Sequence, residues 1–345
     1  MMRGLCVAIG LALLAMTDAA APAGMAPQYI SYSDLNGWGA DHQRAALAAF
    51  RLSCAAMTGP EWQAPCAAAS DATDARAFFE QYFRPALVGG TSKPTLFTGY
   101  YEPELNASLT AGHGFAYPIY RKPPELRPGE VWYDRTEIET RGLLHGRGLE
   151  LAWLNDPVDV FFLQIQGSGR LKLPDGRVMR VGFAAKNGQP YRSIGAELVH
   201  RGLFTRGQMS AQTIRHWVRA NPEGGRELFR HNPSFVFFRE LALGADTGPL
   251  GAMQVPVTAG RTLAVDPDYI PLGAPVWVET EGAHPLQRLM VAQDIGSAIK
   301  SPWRADIFVG TGHRAGEIAG EMKDPGRMVV LLPRPPFTEI AGRPR

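Results

Sequence analysis

The chain has 345 residues, 45% of them hydrophobic and 20% charged, with a formal net charge of +2. That length can bury a large core and fill two domains. The near-neutral balance, without a Lys/Arg run interleaved with aromatics, argues against nucleic acid as the main partner.

The N-terminus reads Met1-Met2-Arg3-Gly4, then an apolar stretch from Leu5 to Met16, then Thr17-Asp18-Ala19-Ala20-Ala21. A basic start, an apolar segment too short to span a bilayer and a small-residue site predict a signal peptide over residues 1–21. An uncleaved anchor is the alternative. Cys6 lies inside the apolar stretch, out of context for lipid attachment. Export places Cys54 and Cys66 in an oxidising compartment, where they can pair only with each other. Closing so short a loop contributes roughly 3 kcal/mol in the chain-entropy picture.

Helices are expected over residues 43–57 and 74–83, the second with Thr73 and Asp74 as capping candidates. From Thr95 the texture turns to short β-like runs broken by Gly and Pro, at 96–101 and 117–121. Residues 161–173 and 177–186 predict a hairpin turning at Asp175-Gly176. Residues 193–204 and 210–220 read as helices with Ser at each start, and 235–238 as a buried strand. Short strands follow at 276–278, 289–292, 307–309 and 328–332. Many short strands with Gly/Pro corners predict barrels rather than a doubly wound sheet. The tail, 334–345, is expected to be loose.

The histidines are scattered and form no metal-ligand spacing, so no metal or other cofactor is expected. Gly167-Ser168-Gly169 lacks the G-x-S-x-G flanks of a nucleophile elbow. It reads either as a tight turn or as a place where a ligand approaches the backbone. Gly310-Thr311-Gly312-His313-Arg314-Ala315 mimics a dinucleotide fingerprint, but the next strand follows too soon for a helix, so a close-packed turn is expected.

Three aspartates stand in short punctuated segments: Asp266 in A-V-D-P-D, Asp294 in Q-D-I-G and Asp306 in A-D-I-F-V. Asp266 and Asp294 are plausible turn residues. Asp306 has no Gly or Pro within three residues and enters an apolar run. A carboxylate drawn toward a buried sheet raises its pKa, and an acid held protonated near neutrality suits general acid catalysis. Asp294, twelve residues upstream, can meet it at one barrel mouth. Lys300, between them, suits either an anionic ligand group or a surface ion pair. Tyr100, Tyr101, Tyr117, Tyr120, Trp153, Tyr191, Trp277 and Trp303 supply aromatic faces of the kind that stack on sugars, and residues 164–169 and 186–193 supply groups for hydroxyls and amides.

The ordered stretches G-Y-Y-E-P-E-L (99–105), Y-P-I-Y-R-K-P-P (117–124), Q-I-Q-G-S-G-R-L (164–171), A-A-K-N-G-Q-P-Y-R-S-I-G (184–195) and N-P-S-F-V-F-F (232–238) resemble the membrane-bound lytic murein transglycosylase A family. The C-terminal part is similar to the domain named for its three aspartates. The resemblance runs from about Thr95 to Pro333. It implies a mainly β fold with some α: a double-psi β-barrel domain with N-terminal helices (26–116 and 252–333) and a smaller inserted β-rich domain (117–251), with a groove between them. It further implies a periplasmic, possible outer-membrane-associated enzyme acting on peptidoglycan glycan strands, monomeric and within reach of cell-wall machinery proteins.

By the same resemblance, Asp306 is the catalytic residue and Asp294 and Asp266 are supporting carboxylates; from the residues themselves, Tyr100, Gln166, Gly167, Ser168, Asn187 and Lys300 are the expected substrate contacts. Ordinary glycosidases need two carboxyl groups. A lytic transglycosylase needs one, because the C6 hydroxyl of N-acetylmuramic acid attacks its own anomeric carbon and proximity replaces water. A two-carboxylate muramidase and a non-catalytic glycan-binding protein are the alternatives. The chain departs from the pattern in lacking a lipoprotein cysteine after the signal, and in a 297–303 loop without the usual extra Gly.

Overall fold

The computed structural model describes residues 26–89, 93–244, 246–282 and 285–335. The expected signal peptide and nearly all of the tail lie outside them. In chain order the first strands are β1 (Gln28–Tyr29), β2 (Phe83–Leu87), β3 (Thr95–Glu102), β4 (Glu104–Ser108) and β5 (Tyr117–Tyr120). Then come β6 (Glu150–Leu154), β7 (Ser168–Lys172), β8 (Val178–Lys186) and β9 (Val236–Glu240). The last are β10 (Thr262–Val265), β11 (Pro275–Thr280), β12 (Gln287–Ile295), β13 (Arg304–Thr311) and β14 (Lys323–Pro333). The helices are α1 (Arg44–Cys54), α2 (Pro60–Ala69), α3 (Ala75–Tyr82), α4 (Arg135–Thr140) and α5 (Pro157–Gln166). They continue with α6 (Ile194–His200), α7 (Ala211–Ala220), α8 (Pro222–His231) and α9 (His313–Glu321).

The first sheet runs β1-β2-β14-β11-β12-β10-β13-β3, and β3 also pairs with β14. That last pairing closes β14, β11, β12, β10, β13 and β3 into a six-stranded barrel. The closed core explains the continuous apolar runs. Val276, Trp277 and Val278 of β11 and Leu289, Met290, Val291 and Ala292 of β12 are all fully buried. Helices α1 to α3 cover the barrel, with Phe50, Phe78 and Phe79 packed against Phe83 of β2. Asp74 caps α3 by accepting from Ala77 N–H (3.0 Å). A Cys54–Cys66 disulfide ties the end of α1 to α2. Gln293 of β12 donates to Ala49 O and Ser53 Oγ of α1, both at 2.9 Å, fixing this cap beside the residue that precedes Asp294.

The second sheet runs β5-β6-β4-β7-β8-β9, and a bridge between Arg121 and Phe238 brings its two outer edges near each other. The expected fold class is therefore found, a mainly β chain with a closed barrel and a second β-rich unit. The boundary expected at 116 moves. Strand β4 pairs with β6 and β7, so the chain leaves the barrel at Pro103.

Two local expectations are corrected. Residues 157–166 are helix, not the first arm of a hairpin. Asp156 accepts from Val158 N–H (2.8 Å), Pro157 occupies the first turn, and Gly167 (φ +78°) ends the helix in the left-handed region. The helix buries Val158, Phe161, Phe162 and Leu163, an apolar set wide enough to hide its period. Only 168–172 pairs with β8. The second correction is α9, which starts immediately after Gly312 where a bare turn was expected. It fits because it lies flat on β3: a Cβ at Gly99 would sit 2.8 Å from Ala319 Cα, and one at Gly316 2.8 Å from the Tyr101 ring.

Glu102, at the end of β3 and 1% exposed, joins the two units. It pairs with Arg180 (2.6 Å) of β8 and Arg170 (2.8 Å) of β7, and accepts from Thr311 Oγ1 (3.1 Å) of β13. Removing one partner of a buried ion pair leaves an uncompensated charge, at a cost of about 3–5 kcal/mol. Glu102→Ala should lower the urea-unfolding free energy by about that amount, whereas Glu104→Ala, whose partner Lys172 is exposed, should change it by less than about 1 kcal/mol.

Candidate active site

The strand registers place four side chains in one cross-strand row. Thr98 of β3 faces Asp306 of β13, Asp306 faces Ala264 of β10, and Ala264 faces Asp294 of β12. Directly opposed residues point to the same face of a sheet. The two carboxylates therefore share a face, with only the Ala264 methyl between them. A register shift at Leu263/Ala264 puts Asp294 opposite Ala264.

Each carboxylate is held differently. Thr98 Oγ1 donates to Asp306 Oδ1 at 2.6 Å. Asp294 Oδ1 accepts from the backbone N–H of Ala252 and of Ile295, both at 2.9 Å, and Asp294 Oδ2 accepts from Tyr100 O–H at 2.9 Å. Both groups keep part of their surface open. Burial pushes the Asp306 carboxyl up to about 6, against the lowering pull of the Thr98 hydrogen bond and the Arg304 guanidinium. Burial likewise raises Asp294 to about 6, opposed by its three donors, while the negative charge of Asp306 adds to the rise. Burial, then the nearby Asp294 charge, drives the Tyr100 phenol well above its ordinary range, so it stays protonated and donates. Three donors to Asp294 and one to Asp306 favour each anion against the burial that raises both carboxyls.

Asp266 stands apart from the row. It is buried, accepts from Ser301 N–H (2.8 Å) and Asp268 N–H (3.4 Å), and lies 3.7 Å from Lys300 Nζ. Its oxygens thus hold the 296–303 loop that carries the chain into β13. Lys300 points at Asp266, largely exposed. Gln166 Oε1 accepts from Tyr101 N–H (3.0 Å), bringing the end of α5 beside Tyr100. Gly167 has open space where a side chain would be, and Ser168 begins β7, buried.

Asn187 corrects the expectation of a substrate contact. It is fully buried, its amide nitrogen donating to Tyr133 O and Pro233 O and its oxygen accepting from Phe235 N–H. Every polar atom of the side chain is thereby engaged in holding loops. The aromatic grouping also separates. Tyr100 touches the aspartates and packs on Phe308, Trp277 is barrel core, and Tyr117, Tyr120 and Trp153 line a cavity in the second unit. Thr98, Ala264, Ala252 and Arg304 were not singled out from sequence. Thr98 alone carried a signal, as the polar residue of an apolar run beside the G-Y-Y motif.

A raised carboxyl pKa means that the folded chain holds a proton the unfolded chain (about 3.9) releases. That contribution is complete below about pH 4 and is lost as pH rises through about 6. At pH 7 the Asp306 anion therefore costs stability. Asp306→Asn should raise the melting temperature at pH 7, by the equivalent of about 1–3 kcal/mol, and leave it nearly unchanged at pH 4. Differential scanning calorimetry at the two pH values checks this.

A family profile described as the MltA specific insert domain matches residues 96–239, and one described as the 3D domain matches 261–332. The chain is 36% identical over 256 residues to membrane-bound lytic murein transglycosylase A of Vibrio cholerae, covering 70% of this chain and 67% of that one. It is 37% identical over 254 residues to the protein of that name from Escherichia coli strain K12, covering 69% and 66%. The chain thus matches about two thirds of the length of these curated relatives. Among solved structures, a membrane-bound lytic murein transglycosylase from Agrobacterium tumefaciens superposes with a TM-score of 0.81 at 35% identity, over 90% of this chain and 98% of that one. The Escherichia coli MltA with bound chitohexaose superposes at 0.70 and 31% identity, over 91% and 93%.

Proposed function

The chain belongs to the membrane-bound lytic murein transglycosylase A family and is an enzyme, and we propose that Asp306 is its single general acid and base. The bond broken is the β-1,4 link between N-acetylmuramic acid and N-acetylglucosamine in peptidoglycan, and no water takes part. The chitohexaose held by the Escherichia coli relative supports an extended β-1,4 amino-sugar strand as the ligand. Names of the relatives support a membrane-associated place in the cell envelope, reached by export through residues 1–21.

Asp306 Oδ1 is pinned by Thr98, which leaves the other oxygen to carry the proton. Asp306 gives that proton to the departing glycosidic oxygen, and positive charge develops at the anomeric carbon. The Asp294 carboxylate, on the same face, stabilises that charge through space. Asp306, now an anion, removes the proton of the muramic C6 hydroxyl as its oxygen bonds to C1. The proton returns to where it started and the product ends in a 1,6-anhydro ring. Because the nucleophile belongs to the substrate, its effective concentration is high without a bound water.

One observation carries this reading over a two-carboxylate hydrolase. Asp294 Oδ1 is filled by two backbone N–H groups, and Oδ2 keeps a single lone pair beside the Tyr100 hydroxyl it accepts from. A general base that activates water gains from lone pairs left free for it, and three of the four on Asp294 are taken. The Asp294 arrangement instead suits a fixed negative charge.

Mass spectrometry of digested glycan should show products lighter by one water than reducing ends, and Asp306→Asn should lower turnover by at least about 10³-fold while glycan binding persists. Reducing ends would mean hydrolysis, and an active Asp306→Asn would mean another acid. The pH profile is a separate check. A general acid of raised pKa predicts that kcat/KM falls above about pH 6. Arg304 pulls that pKa down, so Arg304→Gln should move the alkaline limb to higher pH.

A further inference from the structure

Away from the aspartates, a cavity of about 690 Å³ lies in the second unit, where α4, α5 and α8 meet β5 and β6. Its walls include Tyr117, which is 40% exposed, and Trp153, together with Arg135, Arg219, Arg226, Glu139 and Asp156. Arg219 is already paired with Asp156 (2.8 Å) and Asp159 (3.5 Å), and Arg226 with Glu223, which leaves Arg135 as the cation of interest. Arg135 is 3% exposed and lies between the Phe161 and Phe235 rings, 4.9 and 5.1 Å from their centroids. Its Nε donates to Asn232 O and its Nη2 to Gln164 Oε1 and Ser234 O, whereas Nη1 has a looser ion pair with Glu139 at 3.5 Å. A buried guanidinium with one under-used fork, flanked by aromatic faces, is suited to a ligand carboxylate.

The cavity also stands in a defined relation to the catalytic row. Pro157, Phe161 and Gln164 of α5 line it, while Gln166 at the other end of the same helix holds the Tyr101 backbone beside Tyr100 and Asp294. Phe161 lies five residues before Gln166, about 7.5 Å along the helix, and four extended peptide residues reach about 14 Å. A short peptide attached to a sugar at the aspartates thus has the length to enter the cavity.

We propose that this cavity binds the carboxylate-bearing peptide stem of a peptidoglycan strand whose glycosidic bond lies at Asp306. The site deepens the function proposed above and rests on peptidoglycan being the substrate. Tyr117 and Trp153 pack along the peptide, Arg135 receives a carboxylate, and Arg226 at the rim sets the local charge. The cavity then favours glycan that still carries stems over glycan stripped of them.

The test uses the full chain with two exposed variants, Tyr117→Ala and Arg226→Glu. Steady-state kinetics are run on stem-bearing glycan and on glycan stripped by an amidase. Binding of a synthetic stem tetrapeptide, with free or amidated carboxyl groups, is measured by calorimetry. The proposal expects KM on stem-bearing glycan to rise roughly tenfold in each variant, KM on stripped glycan to stay within about twofold, and the free-acid peptide to bind wild type more tightly than the amide. Equal effects on both glycans, no effect on either, or failure of the free-acid peptide to bind wild type would overturn it. A wild type that cleaves neither glycan would sink the catalytic reading instead. In that event, peptide binding lost in the variants would still support the cavity.

Discussion

Closure of the barrel is the constraint on which the site depends. Because β13 is hydrogen-bonded on one side to β3 and on the other to β10, Asp306 cannot turn outward without breaking both ladders. Its flanking residues Ala305 and Ile307 are buried in the barrel core, which fixes the parity of the strand. The carboxylate must then occupy the opposite face, in line with Thr98 and Asp294. Stability of the apolar core is converted into the position of a polar group, and the strain of partly burying that group appears as its raised pKa.

The neighbours of the row divide the remaining work. Asp266 holds the loop between Asp294 and Asp306 by accepting from the backbone N–H of Ser301. Glu102 ties β3 to β7 and β8, which sets the second unit against the same strand that carries Thr98 and Tyr100. The end of α5 reaches that strand too, through Gln166 and Tyr101. Strand β3 is consequently shared by the acid's hydrogen-bond donor, the domain junction and one wall of the site.

Much of this was legible in the sequence, for identifiable reasons. Asp306 stood out because an acid in an apolar run has few structural excuses. The barrel was legible from short strands punctuated by Gly and Pro. Asp74, Ser193 and Ser210 announced helices because capping is a local interaction, and each accepts from the third residue on. The partners of Asp306 were not legible. Thr98 lies 208 residues away, and the register that brings Ala264 and Asp294 into line depends on an irregularity at Leu263/Ala264. No local pattern encodes such a pairing. Helix α5 was misread because apolar residues cover so much of its surface that neither period emerges, although Asp156-Pro157 marked its start. Asn187 was assigned to substrate from its polar surroundings, while a buried amide serving three backbone groups looks the same in a sequence.

A direct measurement concerns the proton itself. Carbon-13 NMR of the aspartate carboxyl groups, assigned with Asp306→Asn and Asp294→Asn, follows each titration in the free enzyme. The account predicts that the Asp306 signal moves with an apparent pKa near 6. An Asp306 carboxyl that titrates near its ordinary value of about 4 would leave no proton to donate at neutral pH and would contradict the scheme.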